Sequence, residues 1–309
     1  MNKKIRDLND FEWQKCFRVY VQDENANVLS PRLSVLDDNY VYGGEFYGVE
    51  QNLVMTPLTE RYFLSVWQAC KILKGTLICG RPNSGKTLTG KGLAQYLGRF
   101  ISVLYCTNQT DHFSISNLLQ GLAQEGSWGL FDELQNLNDL CLSWFNEYSV
   151  GILQALRKKA VTAQLADGKE ITLNPNFSFL VTMNPYKDYG YTIPSQFKSM
   201  FRIIALIEPD PEIIIRTRCI QYGVKAPNIL ATRLKQLFNL CQGSLMSLQS
   251  KYQLTIDSFT RVIQMIYDKN RETSDSRPTS FANNQSASKY GAAKIESKFI
   301  LKLVWCIFS

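Results

Sequence analysis

The chain contains 309 residues, of which 45% are hydrophobic and 20% are charged, a composition typical of a globular protein with a sizeable core. Its net charge of +7 is compatible with an anionic ligand. The basic residues form no dense block interleaved with aromatic residues, which argues against nucleic-acid binding. The sequence has no run of about 18 apolar residues and no signal-peptide core at its N-terminus, so we expect no association with a membrane.

The eight cysteines are scattered singly and form no C-x-x-C pair. This spacing argues against a zinc site and against a disulfide framework, and it favours buried, reduced thiols in a cytoplasmic protein. The single histidine, His112, follows Asp111 in a polar stretch, and we interpret it as a surface residue.

The first 52 residues predict no functional site. Residues 1–36 mix aromatic and charged side chains without a clear period, and residues 37–52 are typical of a connection with short extended pieces. A helix is predicted from about Pro57, because proline suits an early helical position and apolar residues then recur every three to four positions.

The next segment, GRPNSGKT from Gly80 to Thr87, has the spacing G-x-x-x-x-G-K-[ST]. Residues 76–79 predict a strand before it and residues 88–97 a helix after it. Glycines let successive backbone N–H groups surround a phosphate, while the lysine binds phosphate oxygens and the hydroxyl binds Mg²⁺. The alternative is a glycine-bearing turn that matches by chance. The predicted nucleotide contacts are Gly80, Pro82, Asn83, Ser84, Gly85, Lys86, Thr87 and Leu88.

The helix ahead of this loop is a candidate wall for the adenine ring of ATP. Pro57 and Leu58 lie in its first turn and are the residues we expect to contact the ring. A helix that only packs against the core explains the same apolar pattern equally well.

A second strand (residues 101–105) and a helix (residues 114–124) precede a third apolar strand that ends in Asp132 and Glu133. Carboxylates at the C-terminal end of a parallel strand can hold Mg²⁺ and activate an attacking water. An acidic pair that caps the following helix is the alternative. The single strand and helix between Lys86 and Asp132 favour the metal site.

Residues 137–158 predict a long helix, and the Asp167-Gly168 pair that follows predicts a hairpin insertion that projects from the core. A fourth strand, residues 177–182, precedes Asn184 and Pro185. An amide at the tip of a strand beside the carboxylates can donate a hydrogen bond to the attacking water or to the γ-phosphate.

The remaining chain is predominantly helical. A short helix (residues 194–201) is predicted before Arg202 and a fifth strand (residues 203–207). Arg202 is either a surface cation or an arginine finger that enters a neighbouring subunit's nucleotide site. Residues 211–267 predict helices, and residues 269–293 have the composition of a disordered linker.

The order of these motifs resembles that of an AAA+ ATPase. The resemblance implies an α/β P-loop NTPase fold, with a five-stranded parallel sheet sandwiched by helices and followed by a helical lid. The strings MTPLTER, GRPNSGKT, GLAQEGSWGLFDE, LVTMNP and IPSQFKSMFR are similar to the first AAA+ module of dynein heavy chains. The strings DFEWQKCFRVY and YGGEFYG are similar to the end of the dynein linker.

The resemblance, which covers roughly residues 8–267, implies four segments. These are a linker-like segment (residues 1–36), an AAA+ large subdomain (37–210), a helical lid (211–268) and a divergent, partly disordered tail (269–309).

By position, the resemblance implies that Lys86 binds phosphate and that Thr87 and Asp132 hold Mg²⁺. It implies that Glu133 is the catalytic base and that Asn184 is the first sensor. The implied partners are other AAA+ modules of a dynein ring, dynein intermediate and light chains, and microtubules. The implied locations are the cytoplasm, the cytoskeleton and the axoneme of a cilium.

The chain departs from this family at several positions. It has Pro82-Asn83-Ser84 where Ala-Gly-Thr is usual, Asn136 where an arginine is common, and residues 186–191 lack the expected Gly-Arg. Asp257 aligns with the lid arginine, and Arg261 follows one turn later. Because the phosphate, magnesium, base and sensor residues are nevertheless all present, we expect an ATP-hydrolysing dynein-type module that is incomplete as a motor. The alternative is a non-hydrolysing interaction module that nucleotide stabilises.

Overall fold

The computed structural model describes residues 5, 7–23, 29–48, 53–165, 167–185, 199–224 and 226–246, together with residues 256–257, 259–261, 263–265 and 267. The chain divides into two compact units, Met1–Pro209 and Asp210–Ser309. The predicted disordered tail from residue 269 lies outside the described residues, as do residues 186–191 and most of the helix predicted before residue 202.

The first unit begins with a short helix, α1 (Phe11–Gln14), and an antiparallel sheet. The strands of this sheet are β1 (Arg18–Asp23), β2 (Leu29–Val35) and β3 (Asp38–Val41), paired in that order. In β2 the side chains of Leu33 and Val35 alternate into the core. The sequence pattern predicts no strand before residue 37, because the charged neighbours obscure this alternation.

Helix α2 (Pro57–Lys71) confirms the helix predicted from Pro57. The Thr59 N–H donates to Thr56 Oγ1 at 3.3 Å and the Thr56 N–H donates to Thr59 Oγ1 at 2.7 Å, so the two threonines cap the first turn reciprocally. Tyr62 and Phe63 lie on the buried face of α2, which packs against the central sheet.

The central sheet contains five parallel strands, which confirms the predicted α/β fold. They are β4 (Gly75–Cys79), β5 (Ile101–Tyr105), β6 (Trp128–Asp132), β9 (Ser178–Met183) and β10 (Phe201–Ala205). The spatial order is β10-β4-β9-β6-β5. Strand β9 therefore lies between β4 and β6, so three loops meet at one carboxyl edge.

Helices cover both faces of this sheet. Helices α2 and α3 (Lys86–Leu97) pack on one face, whereas α4 (His112–Glu125) and α5 (Asp139–Arg157) pack on the other. All five residues of β6 are buried, with Leu130 in one apolar cluster and Phe131 in the other. A strand covered on both faces is apolar throughout, which explains why its sequence lacks alternation.

A hairpin and the last strand complete the first unit. Strands β7 (Thr162–Gln164) and β8 (Glu170–Thr172) form the hairpin predicted around Asp167-Gly168. The prediction that Arg202 precedes the fifth strand is wrong, because β10 begins at Phe201. Phe201 pairs with Gly75, where an added Cβ would lie 2.6 Å from the Phe201 ring, so the missing side chain of Gly75 admits the ring.

The described residues of the second unit are mainly helical, as predicted. It contains α6 (Pro211–Gln221), α7 (Pro227–Met246) and helical residues between 256 and 267. Its buried core includes Ile215, Leu234 and Phe259. No described helix has the length and apolarity needed to cross a membrane.

Candidate functional site

The predicted phosphate loop connects β4 to α3 at the carboxyl end of the central sheet. The Gly80 N–H donates to the Met183 carbonyl of the neighbouring β9 at 3.2 Å. A Cβ atom at Gly80 would lie 2.6 Å from the Leu206 carbonyl oxygen, a backbone atom that cannot move aside. Close approach of two backbones therefore explains the first glycine of the motif.

Two residues of the loop have positive φ angles. The angle is 61° at Asn83 and 84° at Gly85, which is the N-cap residue of α3. Glycine and asparagine are the residues that adopt this region most readily. The loop consequently turns directly into α3, so the partial positive charge of the helix N-terminus lies at the loop.

Lys86 is the first residue of α3 and is only 8% exposed. Its Nζ donates to the Gly80 carbonyl at 3.1 Å and to the Arg81 carbonyl at 2.7 Å, so the ammonium group lies against the loop. Burial lowers the pKa of Lys86, and the nearby carboxylates of Asp132 and Glu133 oppose that shift.

A chain of hydroxyl and carboxylate groups joins α3, β6 and β9. Thr87 Oγ1 donates to Asp132 Oδ1 at 2.7 Å, and Thr182 Oγ1 donates to the same oxygen at 2.5 Å. The backbone N–H of Glu133 in turn donates to Thr182 Oγ1 at 2.9 Å. The structure thus brings Thr87 and Asp132, which are far apart in sequence, into direct contact.

Glu133 has an unusual backbone conformation for a residue with a long side chain. Its φ angle is 56°, and a 3₁₀ turn, Leu134–Asn136, follows it. The Asn136 N–H donates to the Glu133 carbonyl at 2.9 Å, and Asn136 Nδ2 donates to Glu133 Oε2 at 2.8 Å. The carboxylate of Glu133 is therefore bound by the turn that follows it.

Asn184 lies directly after β9 and is buried beside the same turn. Its backbone N–H donates to Gln135 Oε1 at 3.2 Å. Gln135 is 7% exposed, and its Nε2 has no hydrogen-bond partner within the part of the chain that the structure describes. The segment after the acid pair thus contacts both Glu133 and the residue predicted as a sensor.

Three contributors to this site escape motif analysis: Thr182, Gln135 and Asn136. Thr182 follows three apolar residues, 179–181, in a strand that is buried throughout, and a polar residue at such a position is the signal that indicates it. Gln135 and Asn136 are adjacent amides just after the acid pair. The hydrogen-bond partners of Gln135 and Asn136 depend on which strands are neighbours in the sheet. The spacing of motifs along the sequence does not reveal that order.

The other predicted nucleotide contacts differ in exposure. Ser84 is buried, and its Oγ donates to the Arg81 carbonyl at 2.9 Å. Pro82 and Asn83 in the loop, Leu88 on α3, and Pro57 and Leu58 in the first turn of α2 are all exposed. Their side chains are accessible to a ligand, whereas the opposite face of α2 is in the core.

The structure does not bring Arg202 to this edge of the sheet. Arg202 is the second residue of β10, an edge strand, and its register partner is Thr76 near the beginning of β4. The phosphate loop begins after Cys79, three residues further along β4, which corresponds to about 10 Å of strand. Arg202 therefore lies toward the amino end of the strands.

In the second unit, the two residues singled out in the lid contact each other. Arg261 Nη2 lies 2.7 Å from Asp257 Oδ2, and both side chains are exposed. Asp257, at the position aligned with the lid arginine, thus forms an ion pair with Arg261 one helical turn later.

The donor set at the sheet edge suits Mg²⁺. Among the residues that the structure describes, no group of three or more His, Cys, Asp or Glu side chains could hold a metal ion. Mg²⁺ does not need such a group, because it keeps several water ligands and takes one or two protein oxygens together with phosphate. The Thr87 hydroxyl and the Asp132 carboxylate, in contact at 2.7 Å, provide two hard oxygens of this kind.

The chain is similar in sequence to dynein heavy chains. The chain is 31% identical over 275 residues to the dynein gamma chain of the flagellar outer arm of Chlamydomonas reinhardtii. It is 34% identical over 262 residues to a cytoplasmic dynein heavy chain of Dictyostelium discoideum, and 31% identical over 267 residues to the axonemal dynein heavy chain 8 of Homo sapiens. These alignments cover 84% to 89% of the chain and 6% of each relative.

A family model described as the hydrolytic ATP binding site of the dynein motor region matches residues 42–293. The match includes the phosphate loop, the acid pair and Asn184, and it covers most of the chain. The chain therefore belongs to the family of the dynein AAA-type ATP-binding motor region.

Proposed function

We propose that this chain binds Mg²⁺-ATP at the carboxyl edge of its central sheet and hydrolyses it, as the first AAA+ module of a dynein-type motor. The observation that carries the proposal is the contact between Thr87 and Asp132 at 2.7 Å, one residue from the buried Lys86. A phosphate-binding loop and a metal-binding carboxylate meet there, as ATP hydrolysis requires.

The phosphate loop would bind the β- and γ-phosphates of ATP. Lys86 donates to two loop carbonyls, and phosphate oxygens are stronger acceptors for an ammonium group than neutral carbonyls. The N-terminal end of α3 adds a favourable dipole. Binding would therefore exchange the two carbonyl partners of Lys86 for phosphate oxygens.

Thr87 and Asp132 would hold the metal, with Thr87 as a direct ligand and Asp132 acting through the water shell. When bound, Mg²⁺ neutralises charge that develops on the phosphate oxygens. Thr182 donates to Asp132 Oδ1 and so fixes the orientation of that carboxylate. This orientation leaves the carboxylate at the end of β6 next to α3.

Glu133 would accept a proton from the attacking water, and Asn184 would orient the same water or the γ-phosphate. Both residues follow neighbouring strands, β6 and β9, and both contact the turn Leu134–Asn136. One short turn thus contacts both the proposed base and the backbone of the residue proposed to orient the water, which supports a shared role at one water.

The assembly is part of the proposal. Arg202 on the edge strand β10 would act at the nucleotide site of a neighbouring AAA+ module, because it lies away from its own phosphate loop. In this proposal Arg202→Ala leaves the ATP affinity of the chain unchanged and reduces hydrolysis by the neighbouring module about 10³-fold or more. Unchanged hydrolysis by that neighbour would reject this role.

As part of a dynein-type motor, the chain would act together with other AAA+ modules, intermediate and light chains, and microtubules. Its location would be the cytoskeleton or an axoneme. Residues 1–36 would form the end of the linker. The chain spans only 6% of the length of the relatives named above, so these partners are inferred from the family.

The binding step is tested by Lys86→Ala, with Lys91→Ala on the same helix as a matched control. Affinity for a fluorescent ATP analogue with Mg²⁺ is measured by titration. Because Lys86→Ala removes a cation and its hydrogen bonds to phosphate, we expect affinity to fall about 100-fold. Lys91, whose Nζ lies 5.9 Å from the Tyr105 ring centroid, should be replaceable without effect. Equal affinity in wild type and Lys86→Ala would reject the proposal.

A second function, a non-hydrolysing interaction module, is favoured by the carboxylate of Asp257 at the position aligned with the lid arginine. Single-turnover hydrolysis separates the two functions. Wild type, supplied with a neighbouring AAA+ module, should release ADP, and Glu133→Gln should bind ATP but hydrolyse it about 10² to 10⁴ times more slowly. A wild type that binds ATP and yields no ADP under these conditions would favour the second function.

A further inference from the structure

The turn after the acid pair places an amide on the carboxylate of Glu133. Asn136 Nδ2 donates to Glu133 Oε2 at 2.8 Å, a charge-assisted hydrogen bond across one 3₁₀ turn. The left-handed backbone of Glu133, with φ of 56°, and the bond from the Asn136 N–H to the Glu133 carbonyl set this arrangement. The two side chains therefore face each other because of local backbone geometry.

The position of the Asn136 amide is fixed by its surroundings. Leu134 and Leu137, on either side of the amide pair, are buried in the core at 2% and 6% exposure. Asn136 Nδ2 also lies 3.4 Å from the Cys106 carbonyl, and the Cys106 N–H donates to the Asp132 carbonyl at 2.9 Å. The amide is thus bound to the ends of β5 and β6, the same strand ends that carry the acid pair.

We propose that Asn136 is a positioning residue that holds the carboxylate of Glu133 in the orientation required to activate the attacking water. The proposal rests on the proposed ATP hydrolysis and adds to it a residue that the motifs do not contain. A glutamate side chain has three rotatable bonds, so an unrestrained carboxylate would occupy several rotamers. A neutral amide restrains it without neutralising its charge.

The test compares Asn136→Ala, Asn136→Asp and wild type in steady-state ATP hydrolysis, with a neighbouring module supplied in excess. The alanine variant removes the donor. The aspartate variant keeps the size of the side chain but places a second carboxylate against Glu133. Asn138→Asp, two residues further along, is the charge-matched control, because Asn138 caps α5 through its Oδ1 and aspartate keeps that bond to the Cys141 N–H.

We expect kcat to fall about tenfold in Asn136→Ala, because losing the orientation of a general base removes only part of its contribution. In Asn136→Asp we expect kcat to fall by a larger factor. The KM for ATP should stay within about twofold, because binding depends on the phosphate loop. The control should retain wild-type kcat. A kcat equal to that of wild type in Asn136→Ala would overturn the proposal. So would a fall in kcat that is accompanied by a comparable rise in KM and by a lower thermal stability.

A measurement without turnover tests the hydrogen bond itself. In the full chain labelled with ¹⁵N-asparagine, one side-chain amide proton of Asn136 should be shifted downfield, and the shift should disappear in Glu133→Ala. The absence of that shift in wild type would overturn the proposal. If the shift is present but the protein binds ATP without hydrolysing it, the contact between Asn136 and Glu133 is supported. In that case the proposed hydrolysis fails, and the hydrogen bond does not.

Discussion

Thr182 illustrates how much of this site depends on one small side chain. Its hydroxyl donates to Asp132 Oδ1 and accepts the backbone N–H of Glu133. Thr182 is fully buried, so water cannot replace either bond. One hydroxyl therefore links the strand that precedes Asn184 to the carboxylate of Asp132 and to the backbone of Glu133.

We predict that Thr182→Val lowers the free energy of unfolding of the first unit by about 1 to 3 kcal/mol. Valine keeps the shape but leaves the N–H of Glu133, which donates to a fully buried hydroxyl in the wild type, without its acceptor. Thr89→Val is the matched control, because the Thr89 hydroxyl donates to the carbonyl of Gly85, the N-cap residue of α3, which also accepts the Thr89 N–H. Urea denaturation followed by tryptophan fluorescence measures both, and equal losses would contradict the assigned role of Thr182.

At the scale of single elements, the helices contain glycines in two different environments. At Gly121 in α4 an added Cβ would meet nothing within 4 Å. At Gly90 in α3 it would lie 3.3 Å from Leu180 Cδ1 and 3.4 Å from Leu130 Cδ1. Both leucines are fully buried in the sheet. Gly90 therefore lets α3 approach the sheet closely, whereas Gly121 has no packing role.

We predict opposite effects of the same substitution at these two positions. Gly121→Ala should stabilise the first unit by about 0.5 to 1 kcal/mol, because alanine loses less backbone entropy in a helix. Gly90→Ala should destabilise it by about 1 kcal/mol or more, because the leucines are held on all sides. The measurement is the urea midpoint of each variant. Stabilisation by Gly90→Ala would show that α3 can move away from the sheet.

At the scale of the whole molecule, the described cysteines differ in burial. Cys106, Cys141 and Cys219 are buried and free, and Cys16 is exposed. Burial raises the pKa of Cys219 to about 11. Burial, together with the carboxylates of Asp132 and Glu133, raises the pKa of Cys106 to about 12.

These pKa values predict a stability that falls at alkaline pH. The folded chain keeps the Cys106 proton up to about pH 12, whereas the unfolded thiol loses it near its ordinary pKa of 9.0. The contribution of the Cys106 thiol to the free energy of unfolding is complete below pH 9. It is lost as the pH rises toward 12, by up to about 1.4 kcal/mol per pH unit. Urea denaturation between pH 8 and 11 should show a shallower decline in Cys106→Ala than in wild type. An equally shallow decline in Cys16→Ala would contradict this.

The amino-acid sequence by itself determined the local chemistry. The glycine spacing of the loop, the carboxylates after one apolar strand and the asparagine after another are short-range patterns, so they could be recognised without a structure. Their alternation with helices predicted the parallel sheet, because parallel strands need crossover helices. The antiparallel sheet over residues 18–41 was largely not predicted, since its strands have mixed exposure.

The tertiary structure decided which of these groups are in contact. Only the strand order places β9 between β4 and β6, and that order brings Thr182 to Asp132 and Gln135 to Asn184. The register of β10 on β4 places Arg202 beside Thr76, about three residues before the phosphate loop. Strand order depends on the packing of helices on both faces of the sheet, which is a property of many distant residues together. No short segment of sequence contains that information.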